Sequence, residues 1–413
     1  MNPINASVRA NFAHATRSVL RHRRRTGIAA GAIAFGVVAL ILASAFIEWI
    51  FWATREGTIQ QGLGHIHIAR KGFHEQGMAN PRRFLLPGQS EVLAALLASP
   101  RVRTVAPRIA YSGLISKGDV TLSFLGEAVD PERERNFGSV SIIVRGEELS
   151  HRDRTGIIVG QGLAANLVAK VGDTLVLLAN TPSGGVNAIE VKVRGLFATV
   201  SKAYDDSAIR APTFVAQTLL RVDGAHRWVV VLRDTADTPA ALAEFRSRFA
   251  DQDLEFVPWY ELADFYNKTV QLLSRQMGFM HGIIGLLIVL TIANSMMMSV
   301  LERTSEIGTA MALGTRRRGI LAQFVTEGLV LGLVGGLAGL LLGIGLAALI
   351  SAVGIPMPPP PGQTQSYRAG MIVTPPAVLQ AFALAAVSAL VAALYPAWKA
   401  SRIGIVDALR HGR

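Results

Sequence analysis

Gly27–Ile47 is a run of 21 residues with no charge. At 1.5 Å per helical residue it reaches roughly 30 Å, the thickness of a bilayer's hydrocarbon core. A signal peptide also combines a basic start with an apolar run, but its apolar region is only about 7–15 residues long. Here Trp49 and Trp52 follow as interfacial anchors, with no clear small-residue cleavage site after them, so the run reads as an uncleaved membrane helix. Gly278–Leu301, Ile320–Ile350 and Pro376–Ala397 are three more such runs. The third of the four exceeds what a span needs, so it is expected to begin in the interface, to tilt, or both. Only 17% of the residues are charged, against about 25% in soluble domains.

The net charge of +12 shows how these spans are oriented. Residues 1–26 hold six Arg and no acid, 302–318 hold four Arg and two Glu, and 398–413 hold four Lys or Arg and one Asp. Between Glu48 and Met277 there are 26 basic and 25 acidic residues. Basic flanks stay in the cytoplasm. The expected layout has a cytoplasmic segment 1–26, spans at 27–47, 278–301, 320–350 and 376–397, a cytoplasmic helical segment 302–319 between the second and third spans, and a cytoplasmic tail 398–413. Residues 48–277 and the proline-rich loop 351–375 then lie outside, which is the periplasm in a bacterium with two membranes. The excess charge sits beside apolar runs, so it reports topology and not nucleic-acid binding.

The outer region is long enough for its own core. GHIHIAR, SEVLAALLAS and RVRTVAPRIAYSG read as strand, helix and strand, with Ser90 as N-cap. RWVVVLR, PAALAEFRSRF and DLEFVP repeat that order. The expectation is an α-helical membrane protein whose large α+β domain is a split ferredoxin-like unit, with halves near 62–113 and 226–258. A β-rich subdomain is inserted over about 114–225, and helical stalks cover about 48–61 and 259–277.

Motifs for chemistry are absent. No cysteine is available for disulfides or thiolate ligands. The chain has no GxxxxGK[ST] phosphate loop, no GxSxG and no HExxH, so ATP hydrolysis is not expected in it. His65 and His67 share one face of a strand and read as solvent-facing side chains of an outer strand. Asp205 and Asp206 read as a loop pair. Glu327, near the start of the third span, is either a functional intramembrane carboxylate or a hydrated interfacial one.

Two glycine stripes mark the third span, Gly328, Gly332, Gly336 and Gly335, Gly339, Gly343. Such small-residue rows admit a closely packed helix, from this chain or from another. Before that span comes LERTSEIGTAMALGTRRRGI, residues 301–320. Glu302, Arg303 and Glu306 are spaced for contacts along a helix. Ile307, Ala310, Met311 and Leu313 form an apolar stripe, and Gly314 supplies a C-terminal stop. The acidic start suits a docking helix for a cytoplasmic partner better than one lying on anionic lipid.

ERTSEIGTAMALGTRRRGI resembles the coupling segment of FtsX-like ABC transporter permeases, roughly E-R-x-x-E-I-G-x-x-x-A-L-G-A followed by basic residues. EGLVLGLVGGLAGLLLG is similar to their glycine-rich third span. YPAWKASRIGIVDALRHG resembles their ending, P-A-x-x-A-x-x-x-x-P-x-x-A-L-R, with Ile405 where the second proline usually stands. FAHATRSVLRHRRRTGIAAGAIAFGV looks like their entry helix. The four-span layout resembles the MacB-type and the lipoprotein-releasing (LolC/LolE) permeases, the latter most closely.

That resemblance implies ATPase coupling at Glu302, Arg303, Glu306, Ile307, Gly308, Met311, Leu313 and Gly314, and a tail motif at Pro396, Ala397, Ala400, Ala408 and Leu409. It implies a homodimer or heterodimer of permeases bound to two copies of a separate ABC ATPase, which holds the ATP and Mg, with no cofactor on this chain. A periplasmic carrier or adaptor and membrane lipids complete the implied partners, with no nucleic acid among them. The implied role is transmission of ATP-driven movement to a periplasmic domain that extracts lipoprotein or another amphiphile from the inner membrane. The alternatives are tripartite efflux of small amphiphiles or peptides and a signalling scaffold for a periplasmic hydrolase.

Overall fold

A computed structural model describes residues 23–76, 81–88, 90–134, 137, 142–181, 184–199, 202–358, 367–405 and 408. The basic segment up to residue 22, residues 359–366 of the proline-rich loop and Leu409 lie outside the described residues. The chain divides into two compact units, one centred on residues 53–268 and one built from the membrane-length helices.

The first helix, α1 (Arg23–Thr58), ends in a π-turn over Ile59–Leu63. The outer unit follows, with β1 (Ile66–Arg70), α2 (Glu91–Leu97) and β2 (Val102–Lys117). Ser90 starts α2 as the sequence suggests, its hydroxyl accepting from Leu93 N–H at 3.1 Å. Next come β3 (Val120–Val129), β4 (Ile142–Gly146), β5 (Gly156–Gly160), α3 (Gln161–Asn166), β6 (Thr174–Asn180), β7 (Val186–Ala198), β8 (Ala208–Pro212) and α4 (Thr213–Leu220). The unit closes with β9 (Arg227–Leu232), α5 (Thr238–Arg248) and β10 (Leu254–Pro258).

Strand order β10-β1-β9-β2, with every neighbouring pair antiparallel, is the arrangement of a split β-α-β unit. The inserted strands do not form a detached sheet. Strand β2 is long enough to serve twice. Its first part pairs with β9 and its second part with β3. From β3 the pairing runs through β8, β5, β7 and β6, and β6 returns to β2 at Leu114–Ser116. Six strands thus close on themselves, which leaves these edges no free row of backbone donors and acceptors. Ile115, Ile157, Val159, Leu175, Leu177, Val193 and Ile209 are fully buried within the same apolar core.

The histidine expectation fails. Strand β1 lies between β10 and β9, not at the outside of the sheet, and His65 and His67 are 4% and 3% exposed. Burial lowers the pKa of His65 to about 4, against the pull of Asp234, and brings His226 to about 4 as well. Unfolded, each binds a proton near pH 6.5. Because the folded pKa is depressed, stability is constant above about pH 6.5 and falls as pH drops toward 4. We expect a loss of about 2 kcal/mol for His65 alone at pH 5. The urea midpoint of tryptophan fluorescence should therefore be lower at pH 5 than at pH 7, and His65→Asn should shrink that difference. Asp205 is also buried, and its carboxylate accepts from Thr199 N–H at 3.0 Å, so it holds a turn together instead of sitting in a free loop.

The membrane unit continues with α6 (Asp264–Glu302), α7 (Thr304–Ala312), α8 (Arg317–Val353) and α9 (Pro375–Ser401). Among the described residues, α1, α6, α8 and α9 are long and apolar enough to cross a membrane. Leu286, Leu290, Leu341, Leu342 and Leu349 point outward, while the six stripe glycines of α8, Gly328, Gly332, Gly335, Gly336, Gly339 and Gly343, are buried. This arrangement suits a lipid solvent, where close packing and not water exclusion holds helices together.

Both glycine stripes find partners in the same chain. A Cβ on Gly328 or Gly332 would lie 2.5 or 2.2 Å from the methyl of Ala393 or Ala389 on α9. Added to Gly335 or Gly339, it would meet the carbonyl of Ala30 or Ala34 on α1, at 2.9 or 2.6 Å. Gly336 faces Ala385 of α9, and Gly343 faces Ile41 of α1. One helix therefore packs on two neighbours, each through its own stripe.

Candidate functional site

The segment between α6 and α8 is a built corner. Helix α6 ends at Glu302, and Arg303 leaves the helical conformation before α7 begins. At the other end Gly314 has φ +96°, a conformation that a side chain resists. Thr315 N–H donates to Ala310 O and Gly314 N–H to Met311 O, both at 3.0 Å. This pair of bonds is the Schellman motif, and it satisfies carbonyls that α7 would otherwise leave open.

Arg303 ties the corner to α8. Its Nε donates to Glu306 Oε2 at 3.1 Å and its Nη1 to Glu327 Oε2 at 3.1 Å. The guanidinium also lies 5.7 Å from the centroid of the Phe324 ring. Glu327 is 8% exposed, so it is a buried ion-pair partner and not a hydrated interfacial group. Charge pairing is what makes a carboxylate tolerable there.

Ile307 is buried and Ala310 and Met311 are half-buried against the helix core, but Leu313 is 84% exposed. The apolar stripe must be corrected to exclude Leu313, because α7 ends at Ala312 and the turn carries Leu313 outward. Gly308 is small for a reason the motif does not show. A Cβ there would lie 2.5 Å from the Ala408 methyl, so the corner touches the tail. Pro396, Ala397 and Ala400 are buried on α9. The outward face carries Glu302, Glu306, Leu313 and the arginines 316–318. It is acidic at one end and basic at the other, and its side chains are exposed.

In the outer unit a second constellation grips the end of α1. Leu232 N–H donates to His65 Nδ1, so Nε2 carries the ring proton and donates to Thr235 Oγ1 at 3.1 Å. Thr235 donates in turn to Glu56 Oε1 at 3.1 Å. His67 Nε2 donates to Leu63 O at 2.6 Å, and Arg108 Nη1 donates to Gly62 O. Arg108 is itself buried among Glu127 at 3.1 Å and Glu134 at 2.9 Å. Burial would lower its pKa, but the two carboxylates outweigh that and raise it. Burial likewise opposes the ionised form of Glu127, yet Arg108, Arg210 and Arg227 hold it below the carboxylate range.

Sequence reasoning missed this cluster. Its signal was present as single charges inside apolar strands, Arg108 in APRIAY, Glu127 in LGEAV, Arg210 in AIRAP and Arg227 in HRWVVV. Among the described residues no group of three or more His, Asp or Glu could hold a metal ion.

The family profile of the FtsX-like permease C-terminal region matches residues 278–405, and that of the MacB-like periplasmic core domain matches residues 26–248. Similar proteins include the pyoverdine export ATP-binding/permease protein PvdT of Pseudomonas fluorescens, 26% identical over 94% of this chain and 57% of its own length. The macrolide export ATP-binding/permease protein MacB of Bdellovibrio bacteriovorus is 37% identical over 35% of this chain and 20% of its own. The uncharacterised permease YvrN of Bacillus subtilis is 40% identical over 29% of this chain and 26% of its own. Where the match runs along nearly the whole chain, this chain spans little more than half of the relative. The solved periplasmic region of MacB from Actinobacillus actinomycetemcomitans covers 51% of this chain and 95% of its own at 12% identity, with a TM-score of 0.36.

Proposed function

This chain belongs to the FtsX-like permeases that carry a MacB-like periplasmic core domain, and on that premise we propose that it is the force-transmitting permease of an ABC transporter. ATP and Mg are bound by a separate cytoplasmic ATPase, in two copies, and a second permease chain completes the complex. The observation that carries this reading is the corner at α7. A helix of nine residues, closed by a Schellman turn and tied by Arg303 to α8, moves as a rigid piece when pushed. Movement then passes along α6 and α8 to the rest of the chain. Both termini and the corner face the cytoplasm of a bacterial inner membrane, and the outer unit faces the periplasm.

The cargo is an amphiphile taken from the membrane's outer leaflet or the periplasm. Lipoprotein release fits that description. Relatives named for pyoverdine and macrolide export favour a second reading, export of small amphiphiles with an adaptor.

Glu306 tests the corner, because its carboxylate is 60% exposed and faces outward. In a partner's groove, breaking a desolvated charge pair costs about 2–5 kcal/mol. We expect Glu306→Lys to lower co-purification of the ATPase at least tenfold, with Glu306→Gln intermediate and both variants still in the membrane. Full ATPase binding by both would show that this segment is only a linker.

A further inference from the structure

Within the membrane unit, α1, α6 and α9 line a partly open cavity of about 380 Å³. That volume lies in the range of small-molecule sites, which are largely apolar with a few convergent polar groups. Ile47, Phe51 and Met277 supply apolar walls, and Glu48, His281 and Gln380 are the principal polar groups. Glu48 stands in an otherwise apolar stretch of α1. Among the described residues no hydrogen bond or ion pair satisfies its carboxylate, in contrast to Glu327. His281 Nδ1 lies 2.7 Å from Met277 O. A carbonyl only accepts, so Nδ1 carries the proton and Nε2 of the neutral ring is an acceptor. The cavity is thus lined by a carboxylate and an imidazole acceptor, with no basic side chain among its lining residues.

A carboxylate at the end of a membrane span, lining a mostly apolar cavity, is best offset by a partner of opposite charge. We propose that this cavity is a binding site for an amphiphilic primary amine. The ammonium donates to Glu48 and to His281 Nε2, and the apolar body packs on Ile47, Phe51 and Met277. An anion is repelled by Glu48, and a neutral amphiphile gains only the apolar contacts. The inference rests on the membrane unit alone and does not depend on ATPase coupling.

Dansylcadaverine is a suitable probe, because it joins a primary amine to an environment-sensitive apolar fluorophore. Titrated against the whole chain in dodecyl maltoside at pH 7, it should bind saturably. Its N-acetylated analogue, which lacks the charge, should bind at least tenfold more weakly. Glu48→Gln should weaken amine binding at least tenfold and leave the analogue unchanged. Met277→Trp, which fills the cavity, should weaken both. In nanodiscs, displacement of the dye by phosphatidylethanolamine but not by phosphatidylcholine would assign the amine to a lipid headgroup. Retention of the dye in both lipids would assign it to a free amphiphile. Equal binding by wild type and Glu48→Gln, or by the amine and its acetylated analogue, overturns the proposal.

Discussion

Replacing Arg108 by Met should destabilise the outer unit by about 3–5 kcal/mol, the usual result of removing one partner from a buried ion pair. Arg108 is 1% exposed and lies between Glu127 and Glu134. Without it, Arg210 at 3.4 Å and Arg227 at 2.7 Å are left to balance both carboxylates. The Gly62 carbonyl loses its donor as well. The measurement is the urea midpoint of the chain in detergent. A paired change, Arg108→Met with Glu134→Gln, removes one charge of each sign and should recover part of the loss. A full loss retained in the pair would mean that Arg108 acts through packing on the Phe137 ring, which lies 4.8 Å from its guanidinium. Because Arg108 grips the end of α1, we also expect faster hydrogen exchange at Gly62–His67 in the single variant.

The second large effect is expected in the membrane unit. Gly339→Leu places a side chain where even a Cβ would come within 2.6 Å of Ala34 O and 2.8 Å of Ala34 Cα. Backbone cannot step aside as a flexible side chain does, so α1 and α8 must separate. Overpacking of this kind typically costs about 1–3 kcal/mol and more where backbone is struck. Gly332→Leu should do the same to the α8–α9 contact, where the Ala389 methyl is 2.2 Å away. Gly345→Leu is the internal control, because it lies on the same helix with no atom within 4 Å of its Cβ. Monodisperse protein recovered in mild detergent, and its resistance to trypsin, should fall sharply for the first two variants and stay near wild type for the third. Equal behaviour of all three would remove the stripes from the account of packing.

Much of this was legible in local pattern. Length and lack of charge mark a membrane helix without any tertiary information, since the bilayer's thickness is a fixed external constraint. Strand and helix order in GHIHIAR, SEVLAALLAS and RWVVVLR follows from periodicity and caps, which are properties of neighbours in the chain. Gly314 could be read as a helix stop because the reason is its own backbone conformation. The resemblance of residues 301–320 and 395–412 to a permease family also needed nothing beyond order and spacing.

Other features depend on partners far away in sequence. Nothing local to His65 says that β9 and β10 will flank it, and burial reverses its expected exposure. Closure of the inserted strands depends on three residue pairs between β2 and β6. Each glycine stripe is visible in sequence, but its partner helix is decided by the fold, α9 for one and α1 for the other. Arg303 and Glu327 are 24 positions apart and pair only because α7 turns back onto α8. Arg108, Glu127, Glu134, Arg210 and Arg227 come from separate elements, and a charge in an apolar strand reads as a defect until its counterparts are in place. Local sequence determined which segments become helices, strands and turns, because those choices rest on short-range sterics and hydration. The ion-pair cluster, the grip on α1 and the Glu48 cavity were decided by tertiary structure, because their energies depend on distances and burial that exist only once the chain has packed.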